Sequence, residues 1–191
     1  MPQLLYLHGF NSSPQSIKAR QTGAWMAARG LAEAFHCPAL PVSAAGAVQL
    51  IESVLRGLDP SHTTVVGSSL GGFYATWAAE HFGCRAVLIN PAVRPHLLLA
   101  DHLGPQQNLY TGERYTLLPA HMAELASLEP ATVTPSRYWL LAETGDETLD
   151  YRQAVRYYAG ARQTVTGGGD HSLQGWEALL PDVMAWAGFP V

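Results

Sequence analysis

The sequence predicts a single α/β domain, built on a mostly parallel sheet with helices on both faces. Three observations lead to this fold class. The chain has 191 residues, 48% of them hydrophobic, which is enough to bury one sizeable core. Short apolar runs alternate with longer amphipathic segments, as strands and helices do in such folds. No repeat, low-complexity tract or linker divides the chain, so we expect one domain over residues 1–191.

Each predicted element follows from its own residue pattern. A buried parallel strand is a short apolar run that ends at a turn residue, and a helix often begins at a capping residue. The predicted strands are "LLYLHG" from Leu4, a weak strand around Phe35, "TTVVG" from Thr63, "RAVLIN" from Arg85, "RYWLLAETGD" from Arg137 and "RQTVTGGGDH" from Arg162. The predicted helices run from Ser13-Pro14 to about Arg29, from Ala45 to Leu58, over "LGGFYATWAAEHF" from Leu70, over "DYRQAVRYYAG" with Asp150 as N-cap, and from Leu173 to Ala187.

A proline-containing segment at about residues 92–135 interrupts this alternation. It contains scattered histidines and two short helix-like pieces, Pro95–Leu103 and Pro119–Leu128. We interpret it as a small helical cap inserted over the sheet.

Charge and cysteine content exclude several classes of protein. The formal net charge is −4, and Lys18 is the only lysine, so no basic surface for nucleic acid is expected. No apolar run is long enough for a membrane span, and the N-terminus lacks the basic start of a signal peptide. We interpret Cys37 and Cys84 as a reduced pair rather than a disulfide. These features predict a cytoplasmic protein with a small-molecule partner, and they carry no indication of the oligomeric state.

The stretch "GSSLG", residues 67–71, matches the pattern G-x-S-x-G. Between a strand and a helix, this pattern places its central serine in a sharp turn with the hydroxyl exposed above the sheet. The flanking glycines remove Cβ atoms that would collide in that turn. Ser69 is therefore the candidate nucleophile, and Ser68 is a small spacer. The stretch has neither the Gly-Lys-Ser/Thr of a phosphate loop nor the G-x-G-x-x-G of a dinucleotide loop.

A serine hydroxyl needs a base, and the base needs a carboxylate that fixes its tautomer. His171 follows a strand and three glycines near the C-terminus, so its loop can reach over the sheet edge. Asp146 comes directly after another strand, in a glycine turn, whereas Asp150 is better explained as a helix cap. Glu143 and Glu147 are weaker candidates. The order Ser69, Asp146, His171 is the order of nucleophile, acid and base in one large class of hydrolases.

Two backbone N–H groups are predicted to bind the oxyanion that forms during acyl transfer. Leu70 follows the nucleophile directly, and Phe10 lies in the loop "LHGFNSS" after the first strand. Gly9 allows that loop to turn, and His8 is then a positioning residue rather than a second base. No metal or cofactor is required by this chemistry.

Six blocks of the sequence closely resemble the YqiA-type esterases, a family of small bacterial α/β-hydrolases. They are "LLYLHGFNSSP", "VGSSLGGFYATW", "INPAVRP", "YTGERY", "TGDETLDYRQAVRYYA" and "GGGDHS". The resemblance implies an α/β-hydrolase fold, a triad of Ser69, Asp146 and His171, and esterase activity on short acyl esters or acyl thioesters. It also implies that Asn90 and Arg94 belong to the pocket side.

The sequence thus predicts a serine esterase that works through an acyl-enzyme. A thioesterase or acyltransferase using the same site remains open, as does a non-enzymatic ligand-binding protein on the same scaffold. We expect the cap, through Leu97–Leu99, to set the acyl chain length that is accepted.

Overall fold

The computed structural model describes residues 1–190, which form a six-stranded sheet, a separate two-stranded hairpin and seven α-helices. The strands are β1 (Gln3–Leu7), β2 (Phe35–His36), β3 (Thr63–Ser68), β4 (Arg85–Ile89), β5 (Gly104–Gln107), β6 (Arg114–Leu117), β7 (Tyr138–Glu143) and β8 (Arg162–Thr166). The large sheet has the order β2-β1-β3-β4-β7-β8, and all its neighbouring strands are parallel. The predicted fold class is confirmed.

Helices cover both faces of the sheet. They are α1 (Ile17–Ala27), α2 (Ala44–Arg56), α3 (Leu70–Phe82), α4 (Pro95–Leu98), α5 (Pro119–Ser127), α6 (Tyr151–Tyr157) and α7 (Trp176–Trp186). Helices α1 and α7 share one hydrophobic core with the sheet, whereas α2, α3 and α6 share the other. In β1, Leu4 and Tyr6 belong to the first core and Leu5 and Leu7 to the second, because successive side chains of a strand point to opposite faces. This two-sided burial explains the uninterrupted apolar run "LLYL".

The helix boundaries are close to those predicted, except that α1 and α7 begin later than expected, α7 at Trp176 rather than at Leu173. Helix α3 covers the predicted residues, and Asp150 caps α6 by accepting a hydrogen bond from the Arg152 N–H. Helix α1 begins at Ile17 rather than directly after Ser13. The carbonyl of Ser13 instead accepts from the Ser16 N–H, which closes a turn before the helix.

The segment between β4 and β7 contains α4, α5 and the antiparallel hairpin β5–β6, which was not predicted. The hairpin reaches the loop after β1, where the Leu109 N–H donates to the Asn11 carbonyl over 2.9 Å. Helix α5 packs through its buried Leu125 into the core on the side of α2 and α3. Within residues 1–190, no helix combines the length and apolar character that a membrane crossing requires.

Candidate active site

Ser69 lies in a strained turn between β3 and α3, with φ = 56° and ψ = −120°. A non-glycine residue adopts a positive φ only where its surroundings force it. A Cβ atom on Gly67 would collide with the Gly71 carbonyl, and one on Gly71 would collide with the Leu7 carbonyl. Both glycines are therefore needed for the turn to form against the end of β1.

The neighbouring strand holds this turn in place. The Ser69 N–H donates to the Ile89 carbonyl over 3.0 Å, and the Ser69 carbonyl accepts from the Ala92 N–H over 3.1 Å. Both partners lie at or just after the end of β4. The strained geometry of Ser69 is thus fixed by the residues that lead into the cap segment.

His171 lies between the serine and a carboxylate. Its Nε2 is 3.0 Å from Ser69 Oγ, and its Nδ1 is 2.8 Å from Asp146 Oδ2. A carboxylate accepts a hydrogen bond, so Nδ1 carries the proton and Nε2 is free to accept the serine hydroxyl. The structure therefore brings together Ser69, Asp146 and His171, which lie in separate loops and which the sequence predicts as nucleophile, acid and base.

Asp146 is held as an ionised group. Its side chain is only 2% exposed, and Oδ1 accepts from the N–H groups of Thr148 and Leu149, each over 2.8 Å. Burial alone would raise the pKa of Asp146, but the hydrogen bonds from His171, Leu149 and Thr148 outweigh it and leave the pKa below its ordinary value. The carboxylate of Asp150, the second candidate acid, instead caps the start of α6.

Asn90 fixes the backbone of the histidine loop, which we define as residues 167–175. Its side chain is buried, at 3% exposure for the residue, and Nδ2 donates to the carbonyls of Asp170 and His171, both over 3.1 Å. Its Oδ1 accepts from the Glu143 N–H over 3.0 Å, and Glu143 Oε2 accepts from the Asp170 N–H over 2.8 Å. Asn90 is therefore a positioning residue that ties the end of β7 to the base.

Two charged side chains, those of Glu147 and Lys18, also bind the histidine loop, and together with Asn90 and Glu143 we call them the clamp. The His171 N–H donates to Glu147 Oε2 over 3.0 Å, and Lys18 Nζ donates to the Ser172 carbonyl. Burial lowers the pKa of Lys18, although nearby carboxylates oppose that shift. Backbone groups of Asp170, His171 and Ser172 are thus all hydrogen-bonded, which fixes the backbone of the loop. Together with the hydrogen bonds of its two ring nitrogens, this holds the imidazole of His171 in one orientation.

The loop after β1, residues 8–12, lies directly against the serine. A Cβ on Gly9 would be 3.2 Å from Ser69 Cβ and 3.7 Å from Ser69 Oγ, so the backbone approaches the nucleophile closely there. The next N–H in this loop belongs to Phe10, and the first N–H of α3 belongs to Leu70. Neither donates a hydrogen bond to another group among residues 1–190. Two free backbone donors beside a serine have the composition of an oxyanion hole.

His8 supports this loop and is not arranged as a base. Its Nε2 accepts from the Leu40 N–H over 3.0 Å, so its Nδ1 carries the proton and donates to the Gly9 carbonyl over 3.1 Å. Burial lowers the pKa of His8, which favours this neutral form. Both ring nitrogens are therefore engaged with backbone groups, one of them in Gly9 beside the serine.

A cavity of about 580 Å³ opens beside Ser69 and His171. It is lined by the loop after β1, by α1, by the histidine loop and by the turn of the hairpin, including Phe10, Ile17, Lys18, Leu109, Tyr110 and Gln174. The contributions of α1 and the hairpin were not predicted, because no sequence signal brings those segments to the site. Among residues 1–190, no cluster of three or more His, Cys, Asp or Glu side chains could hold a metal ion.

Comparison with protein families gives one match over nearly the whole chain. The profile of an uncharacterised protein family, UPF0227, matches residues 3–188. The chain belongs to this family. UPF0227 is the YqiA family, so the resemblance seen in the sequence blocks is confirmed.

Solved structures show that this UPF0227 chain has the α/β-hydrolase fold. A protein of Agrobacterium vitis S4 has a TM-score of 0.73 at 18% identity, covering 97% of this chain and 87% of that chain. Mouse alpha/beta hydrolase domain-containing protein 10 has a TM-score of 0.68 at 18% identity, covering 97% and 88%. A monoacylglycerol lipase of Paleococcus ferrophilus has a TM-score of 0.67 at 13% identity, covering 98% and 95%.

Two expectations for the pocket of this UPF0227 chain are corrected by the structure. Arg94 does not reach the Ser69 cavity: its Nε donates to Glu129 Oε1 over 3.1 Å, and it lines a separate cavity of about 550 Å³. Leu97 and Leu98 line that second cavity, and Leu99 packs against the core, so none of them contacts the Ser69 cavity. The apolar side chains of the cap segment that do line the Ser69 cavity are on the hairpin.

Proposed function

We propose that this protein is a serine ester hydrolase acting on short acyl esters, with acyl thioesters as the second substrate class. The observation that carries the proposal is the hydrogen-bonded series Ser69–His171–Asp146, with distances of 3.0 and 2.8 Å, beside two free N–H groups. The similarity in fold to the monoacylglycerol lipase of Paleococcus ferrophilus also supports the proposal of an ester hydrolase.

The proposed reaction has two half-reactions. His171 Nε2 takes the Ser69 proton while Oγ attacks the acyl carbonyl, and the N–H groups of Phe10 and Leu70 bind the oxyanion. The tetrahedral intermediate collapses, the bond to the alcohol or thiol breaks, and His171 returns the proton to that leaving group. Water then repeats these steps on the acyl-enzyme and releases the carboxylic acid. Asp146 keeps the imidazole in the required tautomer and stabilises its cationic form.

We also propose that residues 1–191 act as one domain in which the segment at about 92–135 is a cap over the site. The hairpin in this segment supplies Leu109 and Tyr110 to the cavity wall, which supports a role in substrate selection. A cytoplasmic location is part of the same proposal.

A fluorophosphonate probe tests the nucleophile directly. We expect the mass of one adduct on Ser69, and its loss in Ser69→Ala. Ser69→Ala should lower kcat by about 10⁴–10⁶-fold, whereas Ser68→Ala, one residue away in β3, should change it far less. Comparable losses in both variants would contradict the assignment of Ser69.

A substrate panel separates the related activities. Matched oxygen and thiol esters of increasing acyl length, assayed with and without an added alcohol acceptor, distinguish an esterase, a thioesterase and an acyltransferase. Absence of both adduct and turnover in the folded protein would instead favour a ligand-binding role for the cavity.

A further inference from the structure

Asn11 is bound by the hairpin through its backbone carbonyl and through both polar atoms of its side chain. Its carbonyl accepts from the Leu109 N–H over 2.9 Å, and its Oδ1 accepts from the Tyr115 hydroxyl over 2.6 Å. Its Nδ2 donates to Gln106 Oε1 over 3.0 Å. The backbone of Asn11 has φ = 52°, a left-handed conformation that persists only when surrounding contacts enforce it.

The neighbouring Ser12 is held by the same hairpin. Asn108 Nδ2 donates to the Ser12 carbonyl over 2.7 Å. Asn108 Oδ1 accepts from the N–H groups of Tyr110 and Thr111, which closes the turn at residues 108–113. One amide side chain thus orders the turn of the hairpin and binds it to the loop after β1.

These contacts lie one and two residues beyond the Phe10 N–H, the proposed oxyanion donor. The Gly9 carbonyl, which shares one peptide unit with the Phe10 N–H, accepts from His8 Nδ1 over 3.1 Å. His8 therefore holds this peptide unit directly, whereas the hairpin holds the chain that follows it, at Asn11 and Ser12. A shift of about 1 Å in a catalytic group can cost about 10²-fold in rate, so loss of the hairpin anchor has consequences for catalysis.

We propose that Asn11 is a positioning residue, and that the hairpin β5–β6, through Asn11, orients the Phe10 N–H for oxyanion binding. This inference rests on the proposed function and adds to it a role for the hairpin other than covering the cavity. Burial first, and then the charge of Glu113, raise the pKa of Tyr115 to about 12, so its hydroxyl remains a donor to Asn11 over the working pH range.

The test removes the hairpin anchor without removing the hairpin. Tyr115→Phe deletes one hydroxyl, and Asn11→Gly deletes the amide but tolerates a positive φ. Gln107→Ala is the matched control, because Gln107 Nε2 donates only to the Gly112 carbonyl inside the hairpin, over 3.2 Å. We expect kcat to fall by about tenfold in Tyr115→Phe and about 10²-fold in Asn11→Gly, with KM within about threefold and the control unchanged.

A measurement on the free protein makes the inference independent of turnover. The amide resonance of Phe10, observed by ¹⁵N–¹H NMR in the unliganded protein, should shift in Tyr115→Phe and Asn11→Gly and stay in place in Gln107→Ala. An unchanged Phe10 resonance in folded Asn11→Gly would overturn the inference, and so would an equal loss of kcat in the control. If the wild-type protein neither hydrolyses esters nor reacts at Ser69, the proposed function fails, while the NMR comparison still decides whether the hairpin orients Phe10.

Discussion

Replacing Asp146 and Asp150 separately by asparagine tests which carboxylate serves the base. The two aspartates lie four residues apart and occupy different environments. Asp146 accepts from His171 and from two backbone N–H groups, with a side chain that is 2% exposed. Asp150 accepts from the Arg152 N–H over 3.0 Å, and its side chain is 42% exposed.

The expected size of the Asp146→Asn effect follows from the proton on His171. The asparagine oxygen can keep the hydrogen bonds from Thr148 and Leu149, which leaves its NH₂ group facing His171 Nδ1. That nitrogen must then accept, so the proton moves to Nε2, which faces Ser69 Oγ. A protonated Nε2 cannot take the serine proton, and the wrong tautomer costs about 10⁴ in kcat, or about 5.5 kcal/mol in activation free energy.

Asp150→Asn should leave both activity and fold nearly intact. Asparagine also caps a helix well, and the exposed contact between Asp150 and Arg152 contributes little. We expect kcat within about twofold of the wild type and less than about 1 kcal/mol of lost stability. The measurements are kcat on a short ester and the melting temperature of both variants. The reasoning is refuted if Asp150→Asn is inactive and Asp146→Asn is active.

The same Asp146 variant carries a prediction about acid stability. Because hydrogen bonding lowers the pKa of Asp146 in the folded protein, its carboxylate stabilises the fold above the ordinary carboxyl pKa of about 3.9. This contribution is lost as the pH falls through the lower folded pKa. The free energy of unfolding should therefore fall more steeply on acidification in the wild type than in Asp146→Asn, as measured by urea unfolding at a series of pH values.

Two further predictions concern the clamp and the cavity. Asn90→Asp places a carboxylate where an amide donates to two backbone carbonyls of the histidine loop, so we expect about 3 kcal/mol of lost stability together with reduced kcat. Urea unfolding that matches the wild type would contradict the role of Asn90 in the clamp. Leu109→Ala should change the ratio of kcat/KM between hexanoyl and acetyl esters by up to about tenfold, because Leu109 lines the Ser69 cavity. Leu97→Ala is the control and should leave this ratio unchanged, because Leu97 lines the separate cavity. The reversed pattern would show that α4, and not the hairpin, selects the chain length.

Much of the site could be predicted because its residues follow local rules. The turn at Ser69 needs glycines two positions away on either side, so the five consecutive residues 67–71 are enough to predict it. Asp146 and His171 each follow a strand, and the carboxyl ends of parallel strands meet at one edge of the sheet. Helix capping explained Asp150, which left Asp146 as the candidate acid.

The hairpin β5–β6 could not be predicted because it is not held by an apolar face. The side chains that it turns toward the loop after β1 are polar, and they include Gln106, Asn108 and Tyr115. Sequence periodicity detects hydrophobic alternation, which four-residue strands with half-exposed polar side chains do not have. The sequence places Asn90 on the pocket side, but its contacts could not be predicted, because its partners are backbone groups about 50 and 80 residues away in the sequence.

The order of the strands separates the site into two halves. Ser69 and the β1 loop follow the adjacent strands β3 and β1, whereas Asp146 and the histidine loop follow β7 and β8, on the other side of β4. The cap segment leaves the sheet from β4, between these halves, and its hairpin returns to the β1 side. Because the cap segment is attached between β4 and β7, it can be lengthened or exchanged in evolution without changing the pairing of any strand in the large sheet. Under the proposed function, remodelling residues 108–113 alone would therefore change the substrate range, provided that the contacts to residues 11 and 12 are retained.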